Sequence, residues 1–418
     1  WAFDGCSGLT SVVIPDSVTS IGEYAFYECI NLTDITFGNS LTTIGLSAFR
    51  HCSGLRSLTI PDSVTSIGGW AFQGCKNLSE FKAQDNLKII GEAAFRDCSG
   101  LKKVAVGSGI TTIFGWAFAD CKNLEYFSLP IKSNLNYLGY AAFLNCGKLK
   151  EITIPNNLKE ILDQTFFGCK SLKKVKIGEN LSIIADRNFE VCLNLETFEV
   201  DNNNLFFSSV DGVMFDKKLT KIIYYPKAKE GNYILPYGIS NIRTFFRNCK
   251  LSSIVIPDSV TTIPRNAFEG SSLTNITIGK GVTRILDYAF SKCSKLEVIH
   301  FEGNAPNIVK QTVFKDSSVK RIIIKSDSEK YNEIFKGLSV ELLSEKSEIE
   351  IDGIFNVPFG FSFAAQKGKL YVVEVTQDFK QWGELETIDG SGKQVKFIDP
   401  RQPKMPFKRN FYRVKVVE

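Results

Sequence analysis

Apolar and polar positions along this chain recur with a period of about 23 residues. An Ala-Phe pair or its variant sets phenylalanine at Phe3, Phe26, Phe49, Phe72, Phe95 and Phe118, then at Phe143, Phe166 and Phe189 with one step of 25. The series resumes at Phe246, Phe268, Phe290 and Phe314. Three residues after most of these stands a cysteine: Cys6, Cys29, Cys52, Cys75, Cys98, Cys121, Cys146, Cys169, Cys192, Cys249 and Cys293, which are all 11 in the chain. Ser271 and Ser317 take the two vacant positions. Each unit then runs Leu-x-x-Ile-x-Ile-Pro, as in Leu9, Val12, Ile14 and Pro15, with a second apolar pair at Val18 and Ile21.

The alternation at Val12-Val13-Ile14 predicts a short strand with one face buried. Proline lacks an N–H and ends the strand, and Asp16-Ser17 suits a turn. One such unit cannot bury its own apolar face, but stacked copies can. Parallel pairing at about 4.8 Å per unit predicts a rod or arc of roughly 65 Å.

The segments "IPDSVTSIG" (14–22, repeated at 60–68) and "AFxxC" resemble the BspA-type leucine-rich repeat over about residues 1–340. The resemblance implies a leucine-rich-repeat solenoid of parallel strands with short 3-10 or turn segments. It also implies a secreted or surface-attached protein that adheres to host or matrix proteins or to other cells.

The cysteines invite a disulfide reading, which their geometry opposes. All hold one repeat position, so they stack with parallel Cα–Cβ vectors that make the required torsion hard to reach. The count is odd, and serine replaces cysteine twice without a paired loss. Cysteine is read here as a small buried hydrophobe.

Between Phe189 and Phe246 the period fails, and an irregular hairpin insert is expected over about 201–242. Val213–Phe215 and Leu219–Tyr225 read as its strands, with Asp216-Lys217-Lys218 as the turn. The run Asp201-Asn202-Asn203-Asn204 lacks the oxygen spacing of a calcium loop and reads as a turn. Ser326 and Glu329 form a capping-box pattern, predicting a polar helix over about 327–336 that closes the end of the solenoid. Residues 343–348 read as a linker, and 349–418 as a small β-sandwich. "YVVEVTQDFKQWGEL" (371–385), "FID" (397–399) and "FYRVKV" (411–416) are similar to fibronectin-III-like modules. Trp382 is expected as a core anchor, and Lys404, Lys408 and Arg409 as a solvated loop.

A net charge of +5 over 418 residues is too dilute to argue for nucleic acid. No apolar run is long enough for a transmembrane span. Further sequence is expected ahead of Trp1, since solenoid ends need a cap. Only His51 and His300 are present, on distant units, and no catalytic or nucleotide-binding motif occurs. No enzyme, cofactor or metal is therefore expected. Both histidines should lie on the surface.

What remains is the exposed set of strand positions. Glu80, Lys82, Lys103, Tyr126, Ser128, Glu151, Lys174 and Lys176 should form part of one continuous surface for a protein or glycan partner. Lys102, Lys103, Lys173, Lys174 and Lys176 suggest a modest basic strip within it. The alternative is a structural component of a surface layer or filament, contacting further copies of itself.

Overall fold

The computed structural model describes the whole chain apart from residues 186, 190, 307, 310, 325–327, 336, 343–350, 357–358, 377–382, 391, 399–410 and 418. The chain divides into two compact units, Trp1–Leu342 and Leu343–Glu418. The first is a parallel-strand solenoid of about 13 turns.

Every regular turn has the same course. A strand of three or four residues is followed by a tight turn, which carries proline in some repeats (Pro15, Pro61, Pro155) and glycine in others (Gly38, Gly107, Gly178), then a two-residue strand and the Ala-Phe loop that returns the chain. Seven of the longer strands, from Ser57–Thr59 to Thr197–Val200, pair in parallel as one sheet. Six of the short ones, from Ser20–Ile21 to Tyr137–Leu138, form a second. Beyond the irregular stretch, six parallel strands run from Glu230–Ile234 to Ser339–Leu342. The register advances by one repeat per strand, for example Leu58↔Phe81↔Val104↔Phe127.

The repeated phenylalanine builds the core. From Phe3 to Phe189 successive rings stack with centroids 5.0 to 5.6 Å apart and planes within 11° of parallel. Each fully buried ring contributes about 2–3 kcal/mol relative to exposure.

The cysteines have a second task besides filling space. The thiols of Cys29, Cys52, Cys75, Cys98, Cys121, Cys146, Cys169, Cys192 and Cys293 each donate to the carbonyl of the phenylalanine one repeat earlier, at 3.0 to 3.4 Å. Each of these carbonyls already accepts from an N–H of its own loop, as Phe26 does from Cys29 and Phe49 from Cys52, and the thiol of the next repeat adds a second, inter-repeat bond to the same oxygen. All 11 cysteines are free, and only Cys6 is exposed.

The Ala-Phe loops are tight turns rather than 3-10 segments; among the described residues one short 3-10 helix occurs, Gln311–Phe314. Each regular loop places two residues in the left-handed region, two before the phenylalanine and two after it. Tyr24 and Glu28, Ser47 and His51, and Trp116 and Asp120 are such pairs, with φ between 52° and 63°. Gly74 and Gly168 occupy the second position without strain.

The irregular stretch is narrower than the expected 201–242. It is a three-stranded antiparallel meander of Phe207–Val210, Val213–Asp216 and Ile222–Tyr224. Its first turn, Asp211-Gly212, has φ of 50° and 77°, the positive pair that a two-residue hairpin turn demands. By Glu230–Ile234 the chain has rejoined the solenoid, pairing in parallel with Lys250–Ile256. The central meander strand is buried on both faces. Met214 belongs to the apolar cluster of the preceding repeats, whereas Val213 and Phe215 belong to that of the following ones. Tyr224 meets Phe189 at 5.1 Å and Tyr225 meets Phe246 at 4.7 Å, so adjacent tyrosines join the two phenylalanine stacks.

Asn204 is wholly buried in the turn before the meander. Its amide donates to the carbonyls of Gly178 and Leu181, and its oxygen accepts from the N–H of Phe206 and Phe207. Its oxygen is thus engaged by backbone.

At the far end the helix Ser328–Ile334 is less polar than expected. Tyr331 is buried from it, with its ring 5.3 Å from Phe301, and its hydroxyl donates to Gly303. Phe335, just beyond, packs at 5.5 Å on the same ring. The sheet also continues past this helix, because Ser339–Leu342 pairs in parallel with Arg321–Ile324. Ser326 lies outside the described residues.

The second unit holds two three-stranded antiparallel sheets. One contains Ile351–Asn356, Phe359–Ala364 and Gln394–Ile398; the other contains Gly383–Asp389, Leu370–Thr376 and Phe411–Val417. They share an apolar cluster in which Phe363 meets Tyr371 at 5.3 Å. Residues 343–348, Trp382, Lys404, Lys408 and Arg409 lie outside the described residues.

Candidate binding surface

The strand alternation decides which side chains reach solvent. In the seven-stranded sheet the apolar residues Leu58, Phe81, Val104, Phe127, Ile152, Val175 and Phe198 point inward. Their neighbours form two outward rows. One row runs Glu80, Lys103, Tyr126, Glu151 and Lys174, each in register with the next. In the other row Lys82, Ala105 and Ser128 are in register, and so are Thr153 and Lys176. All eight residues picked out from the sequence lie on this one sheet. Glu80, Lys82, Lys103, Tyr126, Ser128 and Glu151 are exposed; Lys174 and Lys176 are half-buried.

The electrostatics differ from a basic strip. Lys103 pairs with Glu80 at 3.3 Å, Lys173 with Glu196 at 2.9 Å, and Lys174 with Glu199 at 2.6 Å. Opposite charges sit on adjacent strands, so most of the field cancels locally. Pairs this exposed contribute about 0–1 kcal/mol each. Tyr126 is held in place on this face. The Lys150 ammonium lies 4.7 Å from its ring centroid, donates to its hydroxyl at 3.0 Å, and donates to Glu125 at 2.7 Å. These bonds, that to Glu125 first, raise the Lys150 pKa, and the same lysine draws the Glu125 carboxyl down.

The acid in the turn after the longer strand ties repeats together. Asp16, Asp85 and Asp258 each accept from a backbone N–H in the following repeat, at 2.6 to 2.7 Å.

The two histidines lie on distant turns. His51 is half-buried, edge-on to Tyr27 at 5.9 Å, and burial is the first cause of its lowered pKa. It is less exposed than expected because the glycine at the same position one turn later, Gly74, leaves room for its ring. His300 is half-buried on the outer side of its strand, between Thr277 and Ile323. Among the described residues, no group of three or more His, Cys, Asp or Glu could hold a metal ion. No described helix is long and apolar enough to cross a membrane.

An aromatic group went unforeseen. On the short-strand side, Phe114 and Tyr137 are 41% and 43% exposed with ring centroids 5.7 Å apart. Trp116 and Tyr140 meet beside them at 5.2 Å. The signal was present in the chain: Phe114 stands where Gly22, Gly45, Gly68 and Gly91 stand in earlier repeats. At Gly68 an added Cβ would lie 2.7 Å from Gly45, so the glycine is the rule there and Phe114 the departure.

The chain is similar to several solved structures. A leucine-rich repeat protein from Eubacterium ventriosum is 22% identical, covering 69% of this chain and 78% of its own, with a TM-score of 0.43. One from Bacteroides ovatus is 22% identical over 82% of this chain and 86% of its own, at 0.40. A leucine-rich cell surface protein from Faecalibacterium prausnitzii is 24% identical over 78% and 82%, at 0.33. No curated protein sequence matches the chain significantly. Six copies of the BspA type leucine-rich repeat region match residues 1–125, 100–210 and 217–341, most of the chain. The chain belongs to the BspA-type leucine-rich repeat family.

Proposed function

We propose that this is a non-catalytic binding protein, secreted or displayed at a cell surface, which engages a macromolecular partner on its long-strand face. One observation carries the reading: an outward row of side chains runs in register across five consecutive strands, beside a second row interrupted only between Ser128 and Thr153. Such a face provides area and fixed spacing, the two things a large partner needs. It offers no group of residues suited to bond making. Glu80, Lys82, Lys103, Tyr126, Ser128, Glu151, Lys174 and Lys176 are the proposed contacts. Tyr126 is the proposed anchor, being an exposed aromatic already fixed by Lys150. The C-terminal unit is read as a fibronectin-III-like module. Family membership supports the surface location.

The paired charges favour a protein over an acidic glycan. A panel of matrix proteins and sulfated glycans, run at low and physiological salt beside sizing of the free chain over a concentration range, tests this. Saturable binding to a protein with a shallow salt dependence is expected. Concentration-dependent assembly without such binding would point to a self-associating surface component. Glycan binding that weakens steeply with salt would overturn the preference for protein.

A further inference from the structure

The step of 25 residues between Phe118 and Phe143 has a structural result. Its two extra residues fall in the turn after the strand Tyr126–Ser128, within Pro130–Asn134. Tyr126–Ser128 meets the next strand, Glu151–Ile154, at the single pair Tyr126↔Glu151. The two strand pairs that follow each match four positions, through Ile154↔Ile177 and Ile177↔Val200. The sheet therefore opens on one side of Tyr126, between Ser128 and Thr153. A groove of about 440 Å³ lies there, walled by Leu129 and Ile131 and floored by Thr153, Lys176, Ile177 and Val200. Ile131, in the inserted turn, is 40% exposed.

The charges of the groove are not equivalent. Glu199 is bound by Lys174. Asp201 uses one oxygen to accept from the N–H of Asn203 at 2.9 Å. Lys176 is half-buried; Glu199 stands opposite it in register but its carboxylate is turned to Lys174, and among the described residues no carboxylate lies within ion-pair distance of Lys176. A lysine so placed beside an apolar wall complements a carboxylate attached to an apolar group.

We propose that this groove binds a peptide segment of a partner protein, an apolar side chain resting on Leu129 and Ile131 and an acidic side chain one or two residues away reaching Lys176. The proposal rests on the binding reading of the long-strand face and locates its most specific part. A peptide fits better than a glycan because it supplies an apolar side chain, a carboxylate and N–H donors for Asp201 within one short segment.

The test is selection of displayed random peptides on the intact chain, followed by synthesis of the enriched sequence. Enriched peptides should carry an Asp or Glu within two positions of a Leu, Ile, Phe or Met. Lys176→Met and Ile131→Ser should each weaken the synthetic peptide about tenfold or more, while Lys295→Met, at an exposed position on a distant repeat, leaves it unchanged. Replacing the peptide's acid by its amide should weaken binding to the native chain and have little effect on the Lys176→Met chain, and thermal unfolding should match for all variants. Enrichment of basic peptides, or no enrichment, would overturn the proposal. So would binding that survives both groove substitutions; if that binding is lost in Tyr126→Ala, the wider face reading stands and the groove alone fails. Binding indifferent to all four variants would sink both.

Discussion

At the scale of single residues, the repeat is written by two demands: fill a ladder, and turn a corner. Cysteine meets the first demand because it is small enough to stack and still donates a weak hydrogen bond to a buried carbonyl. Burial pushes the thiols of Cys52, Cys98 and Cys192 up to about 12 from an ordinary 9.0. The folded chain thus keeps thiol protons that the unfolded chain gives up. This contribution is full below about pH 9 and is lost as pH rises toward 12. Urea unfolding at pH 8 and pH 10 should show clearly lower stability at the higher pH, with the native protein at pH 8 exposing only Cys6 to a thiol reagent. Corner turning carries its own cost. Val191 is β-branched yet sits at φ 65°, where Gly74 and Gly168 stand in other repeats. Val191→Gly should stabilise the chain by about 1 kcal/mol, read from the urea midpoint at constant slope. The cysteine column could be read in the chain from period alone, and so could its refusal to form disulfides. The thiol-to-carbonyl bonds could not, because they depend on how far each loop is displaced from the one before. The left-handed corners left a trace, in the Gly, Asp or Asn that precedes Cys75, Cys98, Cys121, Cys146 and Cys169.

At the scale of elements, the meander is the joint of the solenoid. The phenylalanine stack stops at Phe189 and restarts at Phe246, and Tyr224 and Tyr225 span the gap by pointing into opposite clusters. Repeat proteins unfold as neighbouring units coupled through their interfaces, so weakening one interface separates the units on either side. Tyr225→Ala should cost about 3–5 kcal/mol and split a single calorimetric transition into two. A uniform fall in one transition would show that the backbone of the meander, rather than its tyrosines, couples the halves. The lost period predicted an insert, but not its narrow bounds. Leu235, Ile239 and Ile242 already carry the repeat pattern, and all three are buried in the core of the following repeats. The first meander strand was missed because Phe206-Phe207-Ser208-Ser209 has no alternation. The capping helix hid its buried tyrosine among charged residues, Glu329, Lys330 and Glu333.

For the whole molecule, the solenoid repeats its interior closely outside the meander and varies its outer rows freely. That is why the fold could be read from the chain and the partner could not. Interior positions answer to a fixed ladder, whereas outer positions answer to a molecule outside it. Two departures from the repeat mark where the outside is uneven: the two-residue insertion beside Ile131, and Phe114 in a glycine position. They lie on different sheets, so they separate the competing faces. The most direct measurement compares a bound matrix protein's affinity for two doubly substituted chains. One carries Tyr126→Ala with Glu151→Lys on the long-strand face; the other carries Phe114→Ser with Tyr137→Ser on the short-strand side. The account predicts a loss of about a hundredfold for the first pair and little change for the second. Binding that survives the first pair and disappears with the second would contradict it.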